Sequence, residues 1–186
     1  IEIESVNRDM VDSLKYLFEL LDIDPNLVDG IVDWIDENDQ EEPFGAENEY
    51  YESLKPPMKC KNGPLDSVDE LLLIKGFEPA MLYGDEENPG VAVFVSVFGD
   101  AKGAVNINTA DEKVLAAILK SEASASSIID SREDDPFETS ADIAARLPDI
   151  DVKSAMTTAS SCFLVSSIGR TPAEGDPTRQ IRITTL

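Results

Sequence analysis

The chain has 186 residues with 42% hydrophobic content, which is enough to bury a core and is ordinary for a globular protein. Its 38 acidic and 15 basic side chains give a net charge of −23, which repels nucleic-acid phosphates and anionic membranes. The sequence contains no histidine, which excludes Ser-His-Asp and Cys-His catalysis and the common imidazole zinc sites.

The first part of the chain predicts a short strand and two amphipathic helices. Residues 1–3 alternate apolar and acidic side chains, as a strand does. Apolar residues recur every three or four positions over residues 8–21, which predicts a helix. Asp24 suits the N-cap and Pro25 the first position of a second helix, whose apolar stripe runs to Ile35.

The segment 33–51, here called the acidic loop, is the most informative stretch. It carries eight carboxylates and no lysine or arginine. It also follows the C-terminal end of a helix, where the helix dipole is already negative. A bound cation would therefore relieve both the repulsion among the carboxylates and their repulsion by the dipole. Calcium binds six to eight oxygens from carboxylates, amides and carbonyls. The candidate ligands are Asp36, Asn38, Asp39, Glu42, Glu47 and Asn48.

Other interpretations of the acidic loop compete with calcium. A charge run is more commonly just a solvated surface. The loop is not an EF-hand, because Glu41 stands where that motif requires glycine. A glycosidase acid–base pair would need one carboxyl in an apolar cleft and a second at a set distance, and the sequence indicates neither.

The middle of the chain predicts two helix-hairpin-helix units. Ser67 and Glu70 form a capping box that predicts a helix start, and 77–82 begins the next helix. Residues 91–98 alternate like a strand. Thr109 and Glu112 form a second capping box at the head of a helix over 111–119, with two further short helices over 128–132 and 140–147. Such units can bind DNA, but the net charge favours a structural role.

The end of the chain predicts an antiparallel hairpin. Residues 160–168 and 180–186 alternate in period two and are separated by a turn-rich connection. The fold class is therefore α+β, with a small antiparallel sheet and a large inserted all-α domain. Cys60 and Cys162 have no CxxC spacing, and a disulfide and two free thiols are equally consistent with the sequence.

Several blocks of the sequence resemble general secretion pathway protein K, the large minor pseudopilin of the type II secretion system. They follow the family's order over most of the chain, from about Val6 to Ile168. The blocks are Asp33-Trp34-Ile35-Asp36, Gly45-Ala46-Glu47, Tyr50-Tyr51, the run from Asn62 to Leu71, Lys75-Gly76-Phe77, and the run from Val105 to Ala110.

The resemblance implies a non-enzymatic structural protein at the tip of the periplasmic pseudopilus, which starts or caps its assembly with minor pseudopilins I and J. Residues 1–8 and 160–186 would form the pseudopilin α+β domain, and 9–159 a helical domain of the helix-hairpin-helix or SAM-like kind. The full-length protein would be anchored in the inner membrane of a Gram-negative bacterium. We expect the anchoring helix upstream of Ile1, because no run here reaches the roughly 18 apolar residues of a membrane span.

The resemblance also implies calcium in the helical domain, with one or two ions. Asp36 and Glu47 fall on matching acids, whereas Asn38 and Asn48 stand where the family often has aspartate. Each amide keeps an oxygen but lowers the charge of the site. The alternative function is a calcium-stabilised extracytoplasmic binding module that recognises secreted substrates.

Overall fold

The computed structural model describes residues 7–99, 103–150, 156–163, 165–170 and 180–185. Helices dominate it, and the strands are short. The helices are α1 Arg8–Leu20, α2 Leu27–Ile35, α3 Asn48–Ser53, α4 Pro79–Tyr83, α5 Glu112–Leu119, α6 Glu122–Asp134 and α7 Ser140–Arg146, with 3-10 turns at Val68–Leu73 and Val91–Val93. The strands are β1 Val105–Asn106, β2 Met156–Thr157, β3 Val165–Arg170 and β4 Gln180–Thr185.

The four strands form two separate pairs. Strands β1 and β2 are parallel, with Val105 opposite Met156. Strands β3 and β4 are antiparallel, with Val165 opposite Thr185, so a C-terminal hairpin is present as the alternation predicted. Its first strand begins at Val165 and not at Ser160. The strand predicted at 1–3 lies outside the described residues.

The helices enclose two hydrophobic clusters. The N-terminal cluster gathers side chains from α1, α2 and the segments up to the second 3-10 turn, around Phe18, Trp34 and Tyr51. The C-terminal cluster gathers side chains from β1, α5, α6 and α7 around Ile107 and Ile128. Helix α1 packs against α5 and therefore joins the two clusters. As the periodicity predicted, α1 begins at Arg8, with Asn7 as its N-cap.

Helix α2 begins two residues later than predicted. The Asp24 carboxylate still accepts the backbone N–H of Asn26 at 2.9 Å, which is the contact of a capping side chain, but the turn that it caps precedes the α-helix. The N–H of Leu27 likewise bonds to the Asp24 carbonyl at 3.1 Å. Asn26 stands at the cap position without a side-chain cap. The predicted contact of Asp24 is therefore present, and the prediction was wrong only in the first residue of the α-helix, which is Leu27.

Neither predicted capping box forms. Ser67 caps nothing, and the segment after it is a 3-10 turn, because the Glu70 carboxylate is bound by Lys61 at 2.8 Å and by the N–H of Asp66 at 2.9 Å. At α5 the N-cap is Asp111, whose carboxylate accepts the N–H of Lys113 at 2.8 Å. The first capping box is replaced by a tertiary ion pair. The second is replaced by a better N-cap two residues downstream.

Two further expectations were wrong. Residues 91–98 do not form a strand; the chain turns at Val91–Val93, where the N–H of Phe94 bonds to the carbonyl of Val91 at 2.9 Å. Helix α6 is also longer than the predicted 128–132. It starts after Ser121, whose hydroxyl accepts the N–H of Ser124 at 3.2 Å. Its first turns are rich in alanine and serine and show no apolar periodicity, so the sequence pattern missed them.

Candidate metal centre

The acidic loop is built around the carboxylate of Asp33, which is fully buried on the last turn of α2. This carboxylate accepts the backbone N–H of Glu42 at 3.0 Å and also that of Ala46. The loop thus folds back over the helix end. A Cβ on Gly45 would lie 1.8 Å from Asp33 Oδ2, so only glycine permits this close approach.

Burial raises the pKa of Asp33 to about 6, even though the two backbone N–H donors act in the opposite direction. The charges of Asp36 and Glu42 raise it further. The loop therefore holds a carboxylate that desolvation makes costly to ionise. A positive charge nearby would restore its ordinary acidity.

Glu47 is the most unusual side chain of the centre. It is only 6% exposed, and neither carboxylate oxygen has a hydrogen-bond partner. The neighbouring Cys60 thiol directs its hydrogen bond to the Asp33 carbonyl oxygen at 3.5 Å. Burial, together with the charges of Asp33, Asp36 and Asp39, raises the pKa of Glu47 to about 7. Buried carboxylates are normally paired or bound to a metal, so the centre fits a cation.

The remaining predicted ligands lie around these two acids. Asp36 ends α2, is partly buried, and accepts the N–H of Asn38 at 3.2 Å. Asp39 Oδ1 accepts the Asn48 amide at 3.2 Å, and Asn48 Oδ1 accepts the N–H of Cys60 at 3.0 Å. The Glu42 carboxylate pairs with Arg8 at 2.9 Å, and its charge still raises the pKa of Asp33 and of Asp36.

Within the described part of the chain, no three Asp, Glu or Cys side chains lie close enough together to hold a metal by themselves. A cation at this loop would therefore also need amide and backbone carbonyl oxygens, which calcium accepts. Such oxygens are at hand, since the backbone carbonyl of Asn38 and the amides of Asn48 and Asn62 all contact the loop.

Neither Asp33 nor Asn62 was among the ligands predicted from the sequence. Asp33 is one turn before Asp36 on the same helix, so their spacing was a usable signal. Asn62 is distant in sequence and reaches the loop only through the fold, donating to Asp39 Oδ1 at 3.4 Å. The cysteines are both free thiols, Cys60 buried and Cys162 exposed, and burial raises the pKa of Cys60 to about 11.

The fold is similar to that of a solved protein chain. It superposes with a TM-score of 0.65 on a chain of the crystal structure of the GspK-GspI-GspJ complex from the enterotoxigenic Escherichia coli type 2 secretion system. The match covers 95% of this chain and 70% of that chain at 18% identity, which shows the fold alone. The mainly helical architecture described above is thus shared with a chain of this complex.

The sequence places the chain in a family. Two models described as type II secretion system protein K match residues 3–84 and 105–161. The type II secretion system protein K of Aeromonas hydrophila is 34% identical over 104 residues, which is 53% of this chain and 30% of that protein. The chain belongs to the type II secretion system protein K family, and the match spans under a third of this longer relative. No helix in the described residues is long and apolar enough to span a bilayer.

Proposed function

We propose that the chain is the extracytoplasmic part of a minor pseudopilin that initiates or caps the tip of the type II secretion pseudopilus without catalytic activity. The observation that carries the proposal is the family match on both sides of residues 85–104. The similarity to a chain solved together with GspI and GspJ supports minor pseudopilins I and J as its partners. The full-length protein would then be anchored in the inner membrane and face the periplasm.

In this proposal the two ends of the chain have a common role. Residues 1–8 and 160–186 would belong to the small pseudopilin domain, and 9–159 would be the helical insertion. The antiparallel pair of β3 and β4 supports this division, because a lone two-stranded hairpin is marginal in water and needs further strands or a helix to pack on.

The test is assembly in solution. Purified soluble domains of minor pseudopilins I and J from the same organism are mixed with this chain and run on a size-exclusion column. We expect one earlier peak that contains all three chains, whereas the major pseudopilin, used as a control, should elute separately. If the three proteins elute separately at high micromolar concentration, the proposal fails.

We further propose that the acidic loop binds calcium, with the predicted ligands Asp36, Asn38, Asp39, Glu42, Glu47 and Asn48 as the candidate set. The buried, unpartnered carboxylate of Glu47 supports this most directly. Bound calcium would neutralise the loop and hold it against the end of α2. Of the six, Glu42 is now paired with Arg8, so its participation would require that ion pair to open.

Thermal melting tests the calcium proposal. The midpoint in millimolar calcium should lie several degrees above that in EDTA, since an ion that binds only the folded state stabilises it. Magnesium at the same concentration is the control for ionic strength and should stabilise less, because it demands a stricter geometry. Equal midpoints in calcium and EDTA would refute the site.

A second candidate function is a binding module for secreted substrates. It is favoured by large apolar side chains left exposed on the surface, notably Phe44 at the tip of the acidic loop, which is 60% exposed. Pull-downs with known secreted substrates, using Phe44→Ser as the matched variant, would separate this role from assembly. Retention of substrate by the wild type and its loss in the variant would favour the binding module.

A further inference from the structure

Large apolar side chains are exposed around helix α4. Among the described residues, six large apolar side chains are about half exposed or more, and three of these lie on α4 or on the two 3-10 turns that contact it. The three are Leu73, Tyr83 and Val93, which are 49%, 55% and 69% exposed. Exposed apolar side chains that are grouped, and not scattered singly, mark interaction surfaces. These three residues and the loop 84–90 are here called the α4 surface.

Tyr83 is held in place although it is exposed. Its hydroxyl donates to Asp69 Oδ1 at 2.7 Å, and this bond connects the end of α4 to the first 3-10 turn. An aromatic ring that is ordered before binding reduces the conformational entropy that a partner has to remove. Tyrosine is also among the residues that contribute most to binding at protein interfaces. Tyr83 is therefore suited to be the centre of a contact.

The loop between α4 and the second 3-10 turn carries the charge of this surface. Gly84 and Pro89 form an antiparallel bridge at its base. Within the loop, the Asp85 carboxylate accepts the backbone N–H of Glu87 at 2.9 Å. Glu86 and Glu87 stand on this closed turn, and both are exposed. The α4 surface thus combines an ordered aromatic ring with two solvent-exposed carboxylates.

No basic side chain balances the acids of this part of the chain. The sequence has no lysine or arginine from 76 to 99, and the described acids of that range are Glu78, Asp85, Glu86 and Glu87. Where the structure describes the chain, none of these four acids forms an ion pair. The preceding cation, Lys75, donates to the Gly45 carbonyl at 2.9 Å and lies over the Tyr50 ring. The charge of the α4 surface therefore complements a cationic partner.

We propose that the α4 surface binds a protein segment in which an arginine or lysine adjoins an apolar side chain. The cationic group lies over the Tyr83 ring, whose face attracts cations, and pairs with Glu86 or Glu87. The adjoining apolar side chain covers Val93. This interaction requires neither calcium nor minor pseudopilins I and J. Neither family model covers residues 85–104, which include most of the loop, so the surface goes beyond what family membership defines.

The test titrates synthetic peptides into the isotope-labelled full chain and follows its backbone amide signals by NMR. A salt concentration of about 0.15 M screens diffuse attraction to the net charge. The parent peptide alternates arginine and leucine. One analogue has glutamine for arginine, and the other has serine for leucine. The same titration is made with two variants of the α4 surface, which are Tyr83→Ser and the double variant Glu86→Gln with Glu87→Gln.

Two control variants match these changes. Phe163→Ser removes an aromatic ring that is 67% exposed in another part of the chain. Glu133→Gln with Asp134→Asn removes two exposed charges from α6. Both controls should bind the parent peptide like the wild type. A loss of affinity shared by a variant and its control would report the overall charge or apolar surface of the protein, and not the α4 surface.

We expect the parent peptide to shift the amide signals of residues 83–93, and each variant of the α4 surface to weaken its binding about threefold or more. Both analogues should bind the wild type more weakly than the parent peptide does. The proposal is overturned if the parent peptide does not bind the wild type or shifts signals elsewhere. It is also overturned if either analogue binds as tightly as the parent, or if a variant of the surface binds no more weakly than its control.

Discussion

The two hydrophobic clusters differ in whether the buried polar groups around them have hydrogen-bond partners. In the C-terminal cluster, Asn108 accepts the N–H of Phe137 at 2.9 Å and donates to the carbonyls of Phe137 and Thr158 at 2.9 and 3.0 Å. Arg132 likewise donates to the carbonyl of Ala110 at 2.8 Å. In the N-terminal cluster, the acidic loop leaves buried carboxylate oxygens without partners.

Among the described residues, every buried side-chain oxygen without a partner belongs to the N-terminal half, on Glu47 and Asn62. Over the residues that the structure describes, the C-terminal half is thus closed by its own hydrogen bonds, whereas the N-terminal half keeps buried oxygens that the proposed cation would satisfy. We therefore expect the stability of the two halves to respond differently to calcium, and each prediction below tests that difference.

The largest effect should come from Asn108→Ala. The change removes three hydrogen bonds and leaves backbone groups of Phe137 and Thr158 unpaired, so it should lower the free energy of unfolding by about 3 kcal/mol. Urea denaturation measures this. The loss should be the same in calcium and in EDTA, because the residue lies in the self-contained half. A loss that appears only in EDTA would show that the two halves are not distinct.

Gly45→Ala should have the next largest effect and lower the free energy of unfolding by about 2 kcal/mol in calcium. The new Cβ would collide with the Asp33 carboxylate, which must move or release the loop. The calcium-dependent rise in melting temperature should shrink as well, unlike in Asn108→Ala. Gly63→Ala is the matched control, because its Cβ would meet only the Lys61 carbonyl at an ordinary 3.7 Å. Equal losses in the two variants would contradict the close packing at Asp33.

Glu47→Gln should have opposite effects on stability in the absence and in the presence of calcium. In EDTA at pH 8 it should stabilise the protein by about 1–2 kcal/mol, since it removes a buried charge without partners. In calcium it should instead lower the melting temperature, because a ligand is lost. Thermal melts in the two buffers measure both effects. Stabilisation in both buffers would mean that Glu47 takes no part in binding an ion.

The same residue sets a pH dependence in the chelated protein. Unfolded Glu47 releases its proton near its ordinary pKa of 4.5, whereas the folded protein holds it up to about 7. Between these values the folded state binds more protons, so the free energy of unfolding falls as pH rises from about 4.5 to 7. The contribution of Glu47 should be on the order of 1–3 kcal/mol, so the drop should shrink in Glu47→Gln. A remainder should persist, because the pKa of Asp33, raised by burial to about 6, gives a dependence of the same sign. Melting at stepped pH in EDTA checks it.

The sequence was informative where a pattern is local. The helix of α1, the position of the acidic loop after α2, and the pairing of β3 with β4 all follow from periodicity of neighbouring residues. The capping box at Ser67 failed because Lys61 binds the Glu70 carboxylate, a contact made by the fold, whereas the one at Thr109 failed because Asp111 caps the helix instead. The contact of Asn62 with Asp39 was not predicted, because no sequence pattern around Asn62 indicates it.

Arg8→Ala should have the smallest effect on stability, below about 0.5 kcal/mol, because the guanidinium that pairs with Glu42 is on an exposed side chain. The informative effect of this variant is on the affinity for calcium. Arg8 is the cation that pairs with Glu42, and its charge opposes the rise that burial causes in the pKa of Asp36. If both acids are ligands, removing Arg8 frees them and calcium should bind a few-fold more tightly, measured by calorimetry at low salt. Lys120→Ala, which opens an equally exposed pair with Asp12, should leave calcium affinity unchanged. Equal affinities for Arg8→Ala and the wild type would mean that Glu42 is not a ligand of the ion.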